Sequence, residues 1–268
     1  MQTPFEKRVA ETYDRALRRG ELSFIESTVI KIVEKDIEFE LRLSPSLAKK
    51  PVGDLDKPEE ATPKPKIDPF LPYNQELFVQ ERGKHVILLN KFCVIPHHLL
   101  VVTKEYEKQT EPLNPEDLEV VWYCMMQIKN QLSLAFYNCG EFSGEIFEFS
   151  GLPFVHYVAL LDPKKLGGSK HGEYLNELYR SLLDVLIEGF RDQSSSSDAV
   201  SPSYNFVVTH TWVMIVPRRC EKYEYVSVNS LGFVGMLLLR SNEELEFAKK
   251  VGLLKILESV GIPREPSV

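Results

Sequence analysis

The hydrophobic pattern changes period several times along the chain. Over residues 4–19, Phe5, Val9, Tyr13, Ala16 and Leu17 recur at helical spacing and predict an amphipathic helix. From residue 37 the period drops to two. Ile37, Phe39, Leu41 and Leu43 alternate with Glu38, Glu40 and Arg42, the pattern of a strand with one buried face. The apolar run 29–33 predicts a partner strand, joined across Glu34, Lys35 and Asp36. Residues 45–72 hold seven prolines, which exclude regular structure and predict a long surface loop.

Beyond that loop, His85–Leu89 and Leu99–Thr103 predict neighbouring strands. Asn114 followed by Pro115 predicts a helix start, because proline's missing N–H falls where no helical bond is made. The buried stripe of that helix would be Leu118, Val121, Trp122, Met125 and Ile128. Apolar runs at 134–138, 154–161, 205–209, 212–216, 225–229 and Met236–Leu239 predict further strands, with His210 and Thr211 joining 205–209 to 212–216. Leu175, Leu178, Leu182, Leu183, Leu186 and Phe190 predict a long helix over 173–190. A serine-rich loop follows at 192–203, and a last helix starts near Asn242. Strands and helices interleave without a βαβ rhythm, so the expected fold class is α+β with a mostly antiparallel sheet.

The length of 268 residues corresponds to about two domains at ~150 residues each. Apolar residues make up 43% and charged residues 26%, an ordinary globular balance that supports a core without staples. The 32 basic and 39 acidic residues give a net charge of -7 with no basic run. That excludes a chain whose main work is gripping nucleic acid or an anionic membrane, but not one that binds a small anion. Residues 1–20 lack the apolar stretch of a signal peptide, and no apolar run approaches the ~20 residues that span a bilayer. Cys93, Cys124, Cys139 and Cys220 are scattered and form no CxxC. They read as reduced thiols in a cytoplasmic protein, with the nucleus as a second compartment.

Walker, GxGxxG, HExxH and GxSxG motifs are all absent. The six histidines include no HxH pair. His156 lies inside an apolar strand and reads as structural; His171, in the polar stretch 164–172, reads as solvated. Three small, polar turns are more informative: Asn90-Lys91, Asn138-Cys139-Gly140 with Ser143-Gly144, and Asn229-Ser230-Leu231-Gly232 with Gly235. Each alone is ordinary loop chemistry. Glycines there let a phosphate approach backbone N–H groups.

Taken together, these turns sit in longer segments. LLNKFCVIPHHLLVVTKEYEKQTEPLNPEDL (88–118) resembles the hallmark region of the diadenosine tetraphosphate phosphorylases. These are ATP adenylyltransferases on the galactose-1-phosphate uridylyltransferase branch of the histidine-triad superfamily. The resemblance extends in collinear order through SPSLAKKP (44–51), DPFLPY (68–73), AFYNCGEFSG (135–144), LPFVHYVALL (152–161), SYNFVVTHTWVMIVPRR (203–219) and NSLGFVGMLLLR (229–240). It implies a histidine-triad-like, mostly antiparallel sheet flanked by helices. It also implies an N-terminal nucleotide-binding region over 1–148 and a C-terminal ATP adenylyltransferase region over 149–268. The implied reaction is phosphorolysis of diadenosine tetraphosphate to ATP and ADP, through an adenylyl-histidine formed by an HxHxQ segment. The implied partners are ATP, ADP, diadenosine tetraphosphate and phosphate, with no nucleic acid and no membrane. No cofactor is implied beyond a divalent metal such as magnesium accompanying the nucleotide.

The chain departs from the family where the nucleophile belongs. SGEIFEFSGLPFVHY (143–157) runs from Ser143-Gly144 almost at once into the strand that lies well beyond the catalytic segment in the family, and no HxHxQ occurs anywhere. A non-catalytic nucleotide-binding homologue, a splice form and an incompletely assembled chain all produce this pattern. A hydrolase using His156 is a third class of reading, disfavoured by that residue's apolar setting. Carry-over therefore stops at binding. Lys50 matches the lysine that reaches nucleotide phosphate, and Leu89 and Asn90 match the backbone and amide that contact the nucleotide. Asn138 and Gly144 match the turn beside the α-phosphate. Asn229, Gly235 and Arg240 match the segment that closes on the second nucleotide. Arg240 replaces the usual lysine, keeping the cation but changing its geometry.

Overall fold

The structure, a computed structural model, describes residues 2–46, 70–107, 112–129, 133–137, 151–193 and 203–264. In chain order its strands and first helices are α1 (Pro4–Arg18), β1 (Ser23–Phe24), β2 (Thr28–Glu34), β3 (Ile37–Leu43), β4 (Phe78–Arg82), β5 (His85–Leu89), β6 (Phe92–Cys93), β7 (Leu99–Thr103) and α2 (Pro115–Gln127). There follow β8 (Ala135–Tyr137), β9 (Tyr157–Leu160), α3 (Pro163–Leu166), α4 (His171–Gln193), β10 (Ser203–Val208), β11 (Trp212–Arg218), β12 (Lys222–Tyr223), β13 (Val226–Ser227), β14 (Met236–Leu239), α5 (Asn242–Val251) and α6 (Leu253–Val260). Residues 1–28 and 44–107 form one compact unit, and residues 29–43 and 108–268 form a second. The expected boundary at 148/149 lies outside the described residues. So does most of the proline-rich loop (47–69) and of the serine-rich loop (194–202). Among the described residues no helix is long and apolar enough to cross a membrane.

The first unit sets α1 beside an antiparallel sheet ordered β4-β5-β7. A capping box starts α1: the Thr3 hydroxyl accepts from the Glu6 N–H, and the Glu6 carboxylate accepts from the Thr3 N–H. Phe5, Val9, Tyr13 and Ala16 are buried as the spacing predicts. Leu17 is not; it stands 41% exposed on the rim of the stripe in the last turn. All five residues of β5, the central strand, are buried, which explains its unbroken apolar run.

The second unit is built on an antiparallel sheet ordered β8-β10-β11-β9. On one face Tyr204, Phe206 and Ile215 pack with Leu118, Trp122 and Met125 of α2 and with Leu175, Tyr179 and Leu182 of α4. Asn114 caps α2 and Asp117 completes a capping box, as the Asn-Pro start implies. On the other face Val207, Met214 and Val216 pack with Phe39 and Leu41 of β3, Leu237 and Leu239 of β14, and Leu253, Ile256 and Leu257 of α6. A second sheet, ordered β14-β3-β2, supplies that layer. β2 and β3 are joined through Lys35 and Asp36, both at positive φ, and β14 runs parallel to β3.

Four expectations need correction. The run 154–161 is a strand only from Tyr157, because Phe154 forms an isolated bridge to Pro263. The run 225–229 is a strand only over Val226–Ser227, which pairs back on Lys222–Tyr223 across a turn at Glu224 (φ 52°). The last helix breaks at Gly252 (φ 92°), where the Glu34 carboxylate accepts the Leu253 N–H, so α5 and α6 are separate. His171 is not a loop residue: it opens α4 half-buried, with Nδ1 at 3.1 Å from the Gly168 carbonyl.

Candidate functional site

In the first unit, Leu89 ends β5 opposite Leu99 and is 1% exposed. Its side chain is core, so it has only backbone to offer a ligand. Asn90 follows, half-buried, where the sheet edge turns. Its N–H donates to the His98 carbonyl at 2.8 Å, and its Oδ1 accepts the Phe92 N–H at 3.0 Å. Its Nδ2 lies 3.3 Å from His98 Nδ1. The amide thus shapes its own loop and fixes the position of Lys91, which is exposed beside the Phe92 ring.

In the second unit, Asn229, Gly235 and Arg240 come from one continuous device. Asn229 Oδ1 accepts the Leu231 N–H at 3.1 Å, and its carbonyl accepts the Gly232 N–H at 3.0 Å. Asn229 is exposed, and its Nδ2 has no partner among the described residues. The chain then makes one 3-10 turn over Gly232–Val234 and reverses at Gly235, whose φ of 92° belongs to the left-handed region. The Gly235 carbonyl accepts the Glu40 N–H of β3 at 2.7 Å, and a Cβ there would lie 3.1 Å from the Glu38 carbonyl. Close approach and positive φ together require glycine. β14 follows and delivers Arg240 half-buried at its end. The Glu244 carboxylate accepts the Arg240 N–H at 2.8 Å, while the Arg240 guanidinium donates to the Ser227 hydroxyl at 3.3 Å. Among the described residues that guanidinium has no carboxylate partner, so its charge is open to an anion.

Beside this turn is a cavity of about 240 Å³, lined by Phe39, Trp212, Met214, Phe233, Gly235 and Leu257 among others. Glu38 also lines it and holds Lys31 Nζ at 2.7 Å, a hydrogen bond that raises the Lys31 pKa. Lys50, Asn138 and Gly144 lie outside the described residues. The structure therefore groups Leu89 with Asn90, and Asn229 with Gly235 and Arg240, each set within its own unit.

His156 is fully buried, with Nδ1 2.8 Å from the Phe154 carbonyl and its ring edge-on to Phe154. A residue sealed from solvent is no nucleophile for a soluble phosphate ester, and the structural reading holds. Two polar pairs escaped the sequence analysis. Ser133 Oγ lies 2.7 Å from His210 Nε2 at the β10–β11 turn. Asn205, in β10, accepts the Ser230 hydroxyl at 3.0 Å, with both residues fully buried. The available signal for the second pair was a lone amide inside the apolar run 204–208. Among the described residues no group of three His, Cys, Asp or Glu side chains is placed to hold a metal.

Comparison with known proteins accounts for the full length of the fold. The family model described as "Ap4A phosphorylase N-terminal domain" matches residues 2–157, and "ATP adenylyltransferase C-terminal domain" matches residues 150–263. Diadenosine 5',5'''-P1,P4-tetraphosphate phosphorylase 2 of Saccharomyces cerevisiae is 27% identical over 292 residues, covering 90% of this chain and 88% of its own length. Protein APA1 of the same yeast is 26% identical over 278 residues, covering 88% and 86%. The crystal structure of yeast Ap4A phosphorylase Apa2 in complex with Ap4A is similar in fold, with a TM-score of 0.80 at 23% identity over 99% of this chain and 100% of that one. Both sequence matches run longer than the 268 residues of this chain, so the relatives carry positions with no counterpart here.

Proposed function

The chain belongs to the Ap4A phosphorylase family of ATP adenylyltransferases, and on that premise we propose that it binds adenine nucleotides of the ATP, ADP and diadenosine tetraphosphate (Ap4A) class without turning them over. The family is one of nucleotidyltransferases. Its reaction, phosphorolysis of the dinucleotide to ATP and ADP, needs a histidine nucleophile. One observation carries the reading: the 268 residues contain no HxHxQ, while the segments on either side persist in order. Without the nucleophile, the remaining binding groups supply little chemistry. Binding is supported by the Arg240 guanidinium and the exposed Asn229 amide, which have no carboxylate partner and no Nδ2 partner respectively among the described residues, and by the glycine turn between them. Lys50, Asn90, Asn138 and Gly144 are assigned to nucleotide contact by resemblance. The abrupt passage from Ser143-Gly144 into the strand at 152–161 favours a fuller form of this protein, with an HxHxQ block in that place, that is an active phosphorylase.

A divalent metal such as magnesium would accompany the nucleotide phosphates, and no step is assigned to it. A cytoplasmic location, with the nucleus as a second compartment, is supported by four scattered cysteines that form no CxxC. The test is direct. With Ap4A and inorganic phosphate, ATP release should not exceed buffer, whereas calorimetry should detect ATP binding. Removing one charge-assisted contact costs about 1.5–3 kcal/mol, so Lys50→Ala should weaken ATP at least about tenfold. ATP release in proportion to protein would overturn the loss of turnover. Equal affinity in wild type and Lys50→Ala would remove Lys50 from the site.

A further inference from the structure

β10 alternates cleanly between the two cores: Tyr204, Phe206 and Val208 face α2 and α4, while Val207 faces the β3 and β14 layer. Asn205 shares the face of Val207, and there it is an amide in an apolar layer. It is fully buried, yet only its Oδ1 is used, by the Ser230 hydroxyl at 3.0 Å. Its Nδ2 is sealed from solvent and has no partner among the described residues. Turning the amide over changes nothing, since one of its two polar atoms is then orphaned instead. A buried unpaired donor lowers stability, and an apolar side chain of the same shape at 205 with alanine at 230 would remove that liability. The pair therefore holds something that packing alone does not.

We infer that Asn205 is a positioning residue that pins the nucleotide-contacting turn through Ser230. The turn's outward residue, Asn229, is adjacent to Ser230, and the two are oppositely placed, one exposed and one fully buried. Anchoring the Ser230 hydroxyl inside the core fixes the direction in which Asn229 leaves it. The Leu231 carbonyl then accepts the Val234 and Met236 N–H groups at 3.1 and 2.9 Å, which carries the same constraint through Gly235 into β14 and to Arg240. The amide sits on an inner strand of the sheet, so the anchor is rigid, whereas the turn itself is a short loop. This inference rests on the nucleotide reading of residues 229–240.

The experiment pairs ATP calorimetry with thermal melting on the full chain, for wild type, Asn205→Leu, Ser230→Ala and the double variant. Losing one neutral hydrogen bond corresponds to about fivefold in affinity, so each single variant should weaken ATP by about that factor. The double variant should be no weaker than the worse single one, because the two residues act as a unit. Asn205→Leu/Ser230→Ala should melt at or above the wild-type temperature, the opposite of what a purely structural role produces. Wild-type ATP affinity in both single variants overturns the inference alone. A double variant that loses ATP affinity only together with melting temperature, with additive losses, also overturns it. Should Asn205→Leu not fold, Ser230→Ala decides, with ATP affinity measured well below its melting temperature: unchanged affinity overturns the inference, and a fall of about fivefold in the fully folded variant supports it. No ATP binding by the wild-type chain removes the nucleotide reading and this inference with it.

Discussion

Gly235 combines left-handed φ with a close backbone approach, and Gly235→Ala tests both at once. Two costs act together. A non-glycine residue held at left-handed φ costs about 1–2 kcal/mol, because Cβ crowds its own carbonyl. The added Cβ would also lie 3.1 Å from the Glu38 carbonyl, inside ordinary contact distance. Glu38 cannot retreat freely: the same strand donates the Glu40 N–H to the Gly235 carbonyl at 2.7 Å, and losing that bond costs about 1 kcal/mol more. The sum is about 2–3 kcal/mol. For a unit of this size about 1 kcal/mol moves the melting temperature by roughly 2–4 °C, so alanine should lower it by about 4–12 °C. Asparagine separates the two costs, because it tolerates left-handed φ but still brings a Cβ. Scanning calorimetry should rank glycine above asparagine and asparagine above alanine. ATP affinity should fall in the same order, because displacement at 235 moves β14 and the residue at its end. Equal melting temperatures for all three, or asparagine below alanine, would refute the argument.

Gly172→Ala tests a second close approach. Helix propensity alone favours alanine by about 1 kcal/mol, but a Cβ at 172 would lie 2.6 Å from the Pro115 carbonyl of α2, and backbone overpacking costs about 1–3 kcal/mol. Net destabilisation in urea denaturation is expected, and a more stable variant would show that the two helices separate easily. Glu81 offers a pH test. Its carboxylate accepts from Lys104 Nζ at 2.6 Å and from the Tyr73 hydroxyl at 3.1 Å, and these bonds hold its pKa below the ordinary value. A depressed carboxyl contributes stability above its unfolded pKa and loses it as pH falls through the folded one. Glu81→Gln should therefore melt slightly below wild type at neutral pH and level with it near about pH 2. A gap that persists in acid would mean that charge is not its cause.

The elements that were legible in the sequence are those whose pattern is local. The alternation of residues 37–43 placed Phe39 and Leu41 in the core, where both are fully buried. The Asn114-Pro115 start specified α2, and Met236–Leu239 is a strand with the bounds its pattern predicts. What was not legible depends on partners distant in sequence. The parallel pair of Ser23 and Phe24 with Phe92 and Cys93 has two residues a side, too short to show any period. The break between α5 and α6 depends on Glu34, which reaches the Leu253 N–H from β2. No periodicity in residues 242–260 contains that carboxylate.

The candidate site divides along the same line. Asn229, Gly235 and Arg240 are recognisable because a turn is a local object, and glycine at φ 92° is a requirement that a short segment states by itself. Asn90 carries the same kind of signal with a different outcome: its amide closes its own loop against His98 and Phe92, so the residue shapes the site more than it reaches out from it. Asn205 is the converse case. A single amide in Tyr204-Asn205-Phe206-Val207-Val208 marks a polar group that needs a partner, since burying it unpaired is unfavourable. The partner, Ser230, stands 25 residues away, and only the layering of β10 against the turn before β14 brings the two together. A buried polar residue in an apolar strand is thus a question that the sequence poses and the fold answers. Here the answer ties the rigid sheet to the turn that carries exposed Asn229 and leads through Gly235 to Arg240.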